Sequence, residues 1–441
     1  MSVSRRAPVV GPRNPRWIPS FLGRVPEGLE ARQLRLLGLV SLGLAFENYD
    51  LALINTVIHH VSADLGMSVS RIGLYTGIVR AGGFATFLLV PFADRLGRRR
   101  VFLASLVGMS AATLATAFAQ VPWQFAAAQC ATRAFMLTAA AVGVVILSEE
   151  TPAEHRGWAL GMLGALAASG YGMSMLAFAF IDVLPFGWRA LYIWGFLPVL
   201  MLPFFRREIA ETGRFEVFRR GQTEVATGTR LRRWLEPMLR LARTRPLRAA
   251  AVGGAGCFAA LGSIAVFQYS AVFLQRVHGW QPWQVSALVI GGGLLGIVGN
   301  PIAGRLSDRI GRRRVGAAAF GTYPLAVFLF FEAPELVLPL AWAAIVLFGT
   351  GGDVIVRVLA TELFPTSHRG TAVGWLTLLQ TIGWTSGLVV MSAFAVDEAH
   401  IGPRVAMLSL VVSLAGLCVL ALPETHRLEL ERISQETSPP G

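Results

Sequence analysis

The 441-residue sequence contains no lysine, so all 39 of its basic residues are arginine. Charged residues of either sign make up 15% of the chain, and there are three cysteines, Cys130, Cys257 and Cys418. Three cysteines lying inside apolar runs form neither a disulfide framework nor a metal-ligand spacing. No nucleophile is paired with a base, and no metal or cofactor motif stands out, so neither an enzyme nor a bound cofactor is expected. Arginine in place of lysine is the composition of a GC-rich bacterial genome. What is abundant is apolar: 54% of residues are hydrophobic and the mean hydropathy is +0.57. A chain of this length with such values, arranged in long charge-poor runs, is expected to be an integral membrane protein.

Twelve runs approach or exceed the roughly 20 residues needed to cross a bilayer as a helix: 36–58, 72–93, 101–119, 123–148, 158–181, 188–205, 249–273, 284–304, 315–332, 337–361, 370–394 and 404–422. The net charge of +13 and pI of about 11.0 raise the question of nucleic acid. Charge placement answers it. With the N-terminus inside, 32 arginines fall in cytoplasmic segments and four, Arg71, Arg189, Arg276 and Arg404, in external loops. The positive-inside rule then places both termini in the cytoplasm. The basicity is topological, aided by anionic lipid, and the expected partners are the bilayer and a small molecule, without nucleic acid.

The segment Asp94-Arg95-Leu96-Gly97-Arg98-Arg99-Arg100 returns 214 residues later as Asp308-Arg309-Ile310-Gly311-Arg312-Arg313-Arg314. Glu149, Pro152, Arg156 and Gly157 return as Glu362, Pro365, Arg369 and Gly370, an offset of 213. Two motifs at one spacing mark an internal duplication. An acid-basic-x-Gly-basic-basic loop after the second and eighth helices, with Glu-x-x-Pro-x-x-x-Arg-Gly after the fourth and tenth, resembles the major facilitator superfamily. The resemblance implies an all-α fold of twelve transmembrane helices in two pseudo-symmetric six-helix halves, acting by alternating access as a monomer. The expected organisation is an Arg/Pro-rich cytoplasmic tail (1–34), a first half (35–205), a cytoplasmic linker (206–248), a second half (249–422) and a C-terminal tail (423–441). Trp17, Ile18, Phe21 and Leu22 of the first tail are expected at the membrane surface. So is the linker face carrying Leu231, Trp234, Leu235, Met238, Leu239 and Leu241. The duplicated loops imply gates, in which the acid meets an arginine or a helix N-terminus across the two halves. Val90 stands where the family usually has glycine, and Gly304 holds that place in the second copy.

Charges inside the apolar runs are few and costly, about 2.5 to 3.5 kcal/mol each on insertion scales. They therefore point to a site or to one another. Helix 1 carries Glu47, Tyr49 and Asp50, helix 2 Arg80 and helix 4 Arg133. At 1.5 Å of rise per residue, Asp50, Arg80 and Arg133 lie about 22, 21 and 24 Å from the cytoplasmic ends of their helices, one shared layer. Asp50, with Glu47 nearly on its face, is a candidate proton carrier; Arg133, and next Arg80, is a candidate fork for a carboxylate. Either arginine is equally suited to pairing with Asp50. Acid-x-Tyr-Asp in helix 1, with an Arg sixteen residues before the Glu of helix 4, resembles the aromatic-acid and metabolite proton symporters, although Glu47 and Asn48 depart from their Asp-Gly. In the second half, Gln268, Tyr269, Gln380 and Trp384 are hydrogen-bonding and stacking candidates, and Asp353 with Arg357 forms a buried i, i+4 pair. Gly161, Gly164, Gly170 and Gly172 of helix 5 suit close packing. Gly291, Gly293 and Gly296 satisfy G-x-G-x-x-G, but inside a membrane-length run they are expected to pack helix 8 and not to cradle phosphate.

The expected function is proton-coupled import of a small organic acid, with aromatic acids among the candidates, across the bacterial inner membrane, with Asp50 carrying the proton and Arg133 holding the anion. Glu211-Thr-Gly-Arg214-Phe215 and Pro423-Glu424-Thr425 resemble segments of sugar porters, which keeps a sugar or polyol porter as the alternative. Drug efflux and a receptor that binds without transport are the weaker rivals.

Overall fold

Inside a bilayer every backbone N–H and C=O must be satisfied within the segment, which leaves the helix as the form for such runs. The computed structural model describes residues 15, 17–18, 25–209, 236, 238, 241–364, 369–394 and 400–425, with the side chains of residues 94, 95, 153, 297, 298, 300, 301, 369 and 370 excepted. No strand occurs among them. The first half consists of α1 (Ala31–Thr56), α2 (Val69–Phe92), α3 (Arg98–Ala117), α4 (Pro122–Glu150), α5 (Arg156–Phe178) and α6 (Trp188–Glu208). The second consists of α7 (Pro246–Arg276), α8 (Pro282–Ile310), α9 (Arg312–Glu332), α10 (Glu335–Glu362), α11 (Arg369–Phe394) and α12 (Ile401–Leu420). All twelve expected spans are present. Helix α6 is interrupted at Gly195 and again at Met201, ahead of Pro198 and Pro203, whose missing N–H breaks the ladder.

The basic end of the bundle carries the duplicated loops. Gly97 and Gly311 turn the chain there at φ of 101° and 115°, which a side chain disfavours. In the second copy the Glu424 carboxylate accepts from the backbone N–H groups of Arg312 (2.8 Å) and Arg313 (3.2 Å), capping α9. Thr425 Oγ1 donates to Glu362 Oε2 at 2.6 Å. The Pro-Glu-Thr ending thus ties the α8–α9 turn to α10.

Two expectations about flanking segments change. Ile18 of the N-terminal segment is buried, and the Trp17 ring lies 3.3 Å from where a Gly38 Cβ would sit, so these residues pack on α1. Met238 and Leu241 of the linker are buried, Met238 against Gly374 of α11. Phe21, Leu22 and the remaining linker residues named above lie outside the described residues, as do Arg214 and the sugar-porter-like segment around it.

Glycines reveal where helices approach most closely. A Cβ at Gly170 would run into the Ala45 carbonyl of α1, whereas Gly161, Gly164 and Gly172 meet nothing within 4 Å. Of the helix 5 glycines, then, only Gly170 is needed for packing in this conformation. Similarly Gly292 and Gly296 pack α8 against Trp342 and Val346, while Gly291 and Gly293 face open space. Gly170→Ala is expected to destabilise the protein by about 1–3 kcal/mol, the usual cost of overpacking, and Gly172→Ala to leave it unaffected. Thermal unfolding of the two purified variants checks the contrast, and equal melting temperatures would refute it.

The halves meet away from the basic end. Gln268 Nε2 donates to the Ile54 carbonyl (3.0 Å) and Ser286 Oγ to that of Met175 (2.8 Å), while Ser392 Oγ bonds the Ser70 carbonyl. Gly73 of α2 abuts Leu388 and Ser392 of α11. Toward the basic end a Cβ at Gly157, Gly161 or Gly164 of α5 or at Gly304 of α8 would meet nothing within 4 Å among the described residues.

Candidate functional site

Between the halves lies a cavity of about 390 Å³, walled by α1, α2 and α5 on one side and α7, α9, α10, α11 and α12 on the other. Arg80 enters it from α2. Its Nη2 donates to Asn55 Oδ1 of α1 at 3.1 Å, and Tyr171 of α5 lines the same wall. No carboxylate lies within ion-pair distance of Arg80 among the described residues. A guanidinium partnered only by a neutral amide keeps donors for an anion. Across the cavity Asp353 accepts from Arg357 Nε (2.7 Å) and from Gln380 Nε2 of α11 (2.8 Å). The expectation of a buried Asp353–Arg357 pair is corrected here: the pair exists, but its side chains are 41% and 49% exposed and line the cavity. Trp384, Phe267, Phe320 and Tyr323 supply aromatic wall.

Arg133 stands elsewhere. It is buried within the first half together with Glu47 and Asp50, and its charge interacts with both carboxylates. Its Nε and Nη1 have no hydrogen-bond partner among the described residues. Asp50 Oδ1 accepts from Thr113 Oγ1 of α3 (3.3 Å) and Gln129 Nε2 of α4 (3.4 Å), not from an arginine. Arg80 and Arg133 are near enough to repel each other electrostatically. The single charged layer expected from helical rise is therefore split, with Arg80 at the cavity wall and the Glu47–Asp50–Arg133 cluster behind it.

Three other expected site residues lie off the cavity wall. Tyr49 donates to the Leu191 carbonyl at 2.9 Å inside the first half. Gln268, as above, bridges to α1, and Tyr269 is fully buried against Gly73 of α2, so both belong to the contact between halves. The polar cavity-lining residues that sequence reading missed are Asn55, Tyr171, Ser263, Tyr323 and Thr350. Each is a rare polar group within an apolar run, which is the signal that pointed to the others.

The duplicated motifs close within each half. Arg98 pairs with Glu149 at 3.5 Å, and Arg312 pairs with Glu362 at 3.1 Å and with Asp308 at 2.5 Å. Asp308, expected to meet an arginine or a helix N-terminus across the halves and to release it when the cytoplasmic side opens, pairs here with Arg312 of its own loop. Asp94, Arg95 and Arg369 have side chains outside the described residues; Arg156 and Arg309 flank the same loops, and Arg156 Nε has no hydrogen-bond partner among the described residues. At the opposite end, Arg276 of α7 donates to His59 Nδ1 (3.0 Å) and Ser62 Oγ (3.1 Å), latching the second half to the first. Burial, then the neighbouring His60 and Arg276 charges, pushes the His59 pKa down to about 4, so it remains a neutral acceptor for Arg276 above that pH.

A protein-family model described as Major Facilitator Superfamily matches residues 40–352 and 273–439. A gallate transporter of Pseudomonas putida is 24% identical over 433 residues, covering 89% of this chain and 92% of the relative. A cis,cis-muconate transport protein of Acinetobacter baylyi is 26% identical over 344 residues, covering 76% of this chain and 80% of the relative. The solved structure of a D-xylose–proton symporter superposes with a TM-score of 0.70 at 17% identity, covering 89% of this chain and 98% of that one, a likeness of fold.

Proposed function

Because this chain belongs to the major facilitator superfamily of secondary transporters, we propose that it is a proton-coupled importer of a small organic acid, with Arg80 receiving the carboxylate. The carrying observation is the Arg80 guanidinium at the cavity wall with only a neutral amide as partner. A guanidinium fork matches a carboxylate with two parallel hydrogen bonds, and the aromatic walls suit an apolar body behind it. The transport of gallate and muconate by relatives fits that chemistry.

The Arg-rich end takes the cytoplasmic side by the positive-inside rule, so the structure is the inward-facing state, its external side shut by the Arg276 latch. Coupling follows from charge. With Glu47 and Asp50 ionised, their two negative charges offset those of Arg133 and Arg80. A proton on Asp50 removes one of them and raises the positive potential that the anion meets at Arg80. The two ligands thus favour each other, as reciprocal linkage requires. All the groups named come from one chain, so a monomer suffices.

A sugar or polyol porter is the second reading, favoured by the neutral donors Asn55, Gln380 and Trp384 at the cavity. Thermal stabilisation of the purified protein separates the two, since a ligand that binds only the folded state raises its stability. Carboxylates are expected to raise the melting temperature and sugars to leave it unmoved; the reverse pattern would overturn the organic-acid reading.

A further inference from the structure

We infer that the groove between α3 and α6 at the basic end of the first half binds an anionic phospholipid, with the phosphate among its arginines and an acyl chain along its length. The groove holds about 560 Å³. Arg99, Arg100 and Arg206 line one end of it, and Leu103, Ala104, Val107 and Leu202 line the rest. At 1.5 Å of rise per residue, the lining of α3 from Arg100 to Gly108 spans about 12 Å, close to the roughly 15 Å of hydrocarbon in one leaflet. A second hollow of about 500 Å³ shares Leu202 and Arg206 and adds Arg207. Leu200 and Phe204, on the same stretch of α6, are 66% and 51% exposed, as expected of side chains that face lipid.

The charge at the mouth is of one sign. No acidic side chain lines either hollow, and Arg100, Arg206 and Arg207 have no ion pair among the described residues. Glu208, the adjoining acid in the chain, pairs with Arg35 of α1 at 3.4 Å. Such a mouth attracts a phosphate and offers nothing to the ammonium of a zwitterionic headgroup. Arg99 Nη2 donates to the Arg206 carbonyl, a last-turn acceptor without a partner inside its own helix, and so holds the two arginine-bearing helix ends side by side. The internal duplication supplies a comparison. At the offset of 214 residues, Arg313 of α9 makes the corresponding bond to the Leu420 carbonyl of α12, but Arg206 and Arg207 are replaced there by Leu420 and Ala421. The contact between helix ends is thus kept without an arginine side chain at that position, and the Arg206 guanidinium serves something other than the fold.

The test is native mass spectrometry of the purified full-length protein with phosphatidylglycerol, phosphatidylethanolamine or inorganic phosphate added, a readout independent of transport. Phosphatidylglycerol should be retained about tenfold more than phosphatidylethanolamine, and Arg100→Gln and Arg206→Gln should each lower its retention about fivefold. Arg206→Lys, which keeps the charge, should stay within about twofold of wild type. Arg314→Gln removes the charge equivalent to Arg100 from the second copy and should have no comparable effect. Ala104→Trp keeps every arginine and obstructs the groove, and should also lower retention. Equal retention of the two lipids would overturn the inference, as would a loss in Arg314→Gln as large as that in Arg100→Gln, the mark of a diffuse surface field. Retention unchanged by Arg100→Gln and Arg206→Gln would overturn it too. Binding of inorganic phosphate that Ala104→Trp leaves intact would show a site for a free anion, and not for a lipid.

Discussion

Asp50→Asn is expected to abolish accumulation of substrate against a gradient while sparing exchange. In proteoliposomes, an inward-directed pH gradient of about one unit drives about tenfold accumulation when one proton accompanies each carboxylate anion, because 1.4 kcal/mol corresponds to a factor of ten. The variant should bring that ratio to one. Counterflow of labelled against unlabelled substrate needs no net proton movement and should persist, since Asp50 lies behind the cavity wall and touches Thr113 and Gln129, not the cavity. Asparagine keeps the size and one acceptor oxygen, so the two hydrogen bonds that hold the side chain survive. Accumulation by Asp50→Asn at the wild-type ratio would remove Asp50 from coupling. Glu47, which faces the same Arg133, is then the remaining carboxylate of the cluster, and Glu47→Gln would have to show the loss instead.

The second large effect separates the two arginines. Arg80→Gln should weaken carboxylate binding by about 10- to 150-fold, the equivalent of about 1.5–3 kcal/mol for hydrogen bonds to a charged group. Stability should change little, because glutamine still reaches toward Asn55 and no buried carboxylate depends on Arg80. Arg133→Gln should do the opposite. It leaves Glu47 and Asp50 without their compensating charge, and breaking a buried ionic cluster from one side costs about 3–5 kcal/mol. A low melting temperature with near-normal affinity in the surviving folded protein is the expected signature. Titration of ligand binding and thermal unfolding on both variants distinguish these roles; loss of affinity in Arg133→Gln with Arg80→Gln unaffected would move the anion site into the first half.

Much of this protein was legible from residue order alone. The doubled Asp-Arg-x-Gly-Arg-Arg loops and the doubled Glu-x-x-Pro motif established the family, the duplication and the twelve spans, because a bilayer forces each apolar run into a helix whatever its neighbours. The turns at Gly97 and Gly311 are local in the same sense, since positive φ belongs to the residue itself. The scarcity of charge within apolar runs singled out Glu47, Asp50, Arg80, Arg133, Asp353 and Arg357, which lie at the cavity or in the cluster behind it.

Depth along a helix is set by counting residues, but the direction a side chain takes around the helix axis depends on which neighbour packs there. That is why Arg80 and Arg133, level by helical rise, part company in the fold: the close approach of α2 to α4 at Gly82, whose Cβ would strike the Cys130 carbonyl, and the pairing of α1 with α5 at Gly170 place one at the cavity and the other behind it. Pairing across the halves is equally invisible in order alone. Gln268 and Tyr269 have the residue types of a binding site, yet the conformation presses α7 against α1 and α2 at the end away from the basic loops and uses them there. Sequence determined the helices, their number and the small set of polar groups the membrane interior would tolerate; only the packing of helix against helix, a non-local choice among faces, decided which of those groups line the cavity.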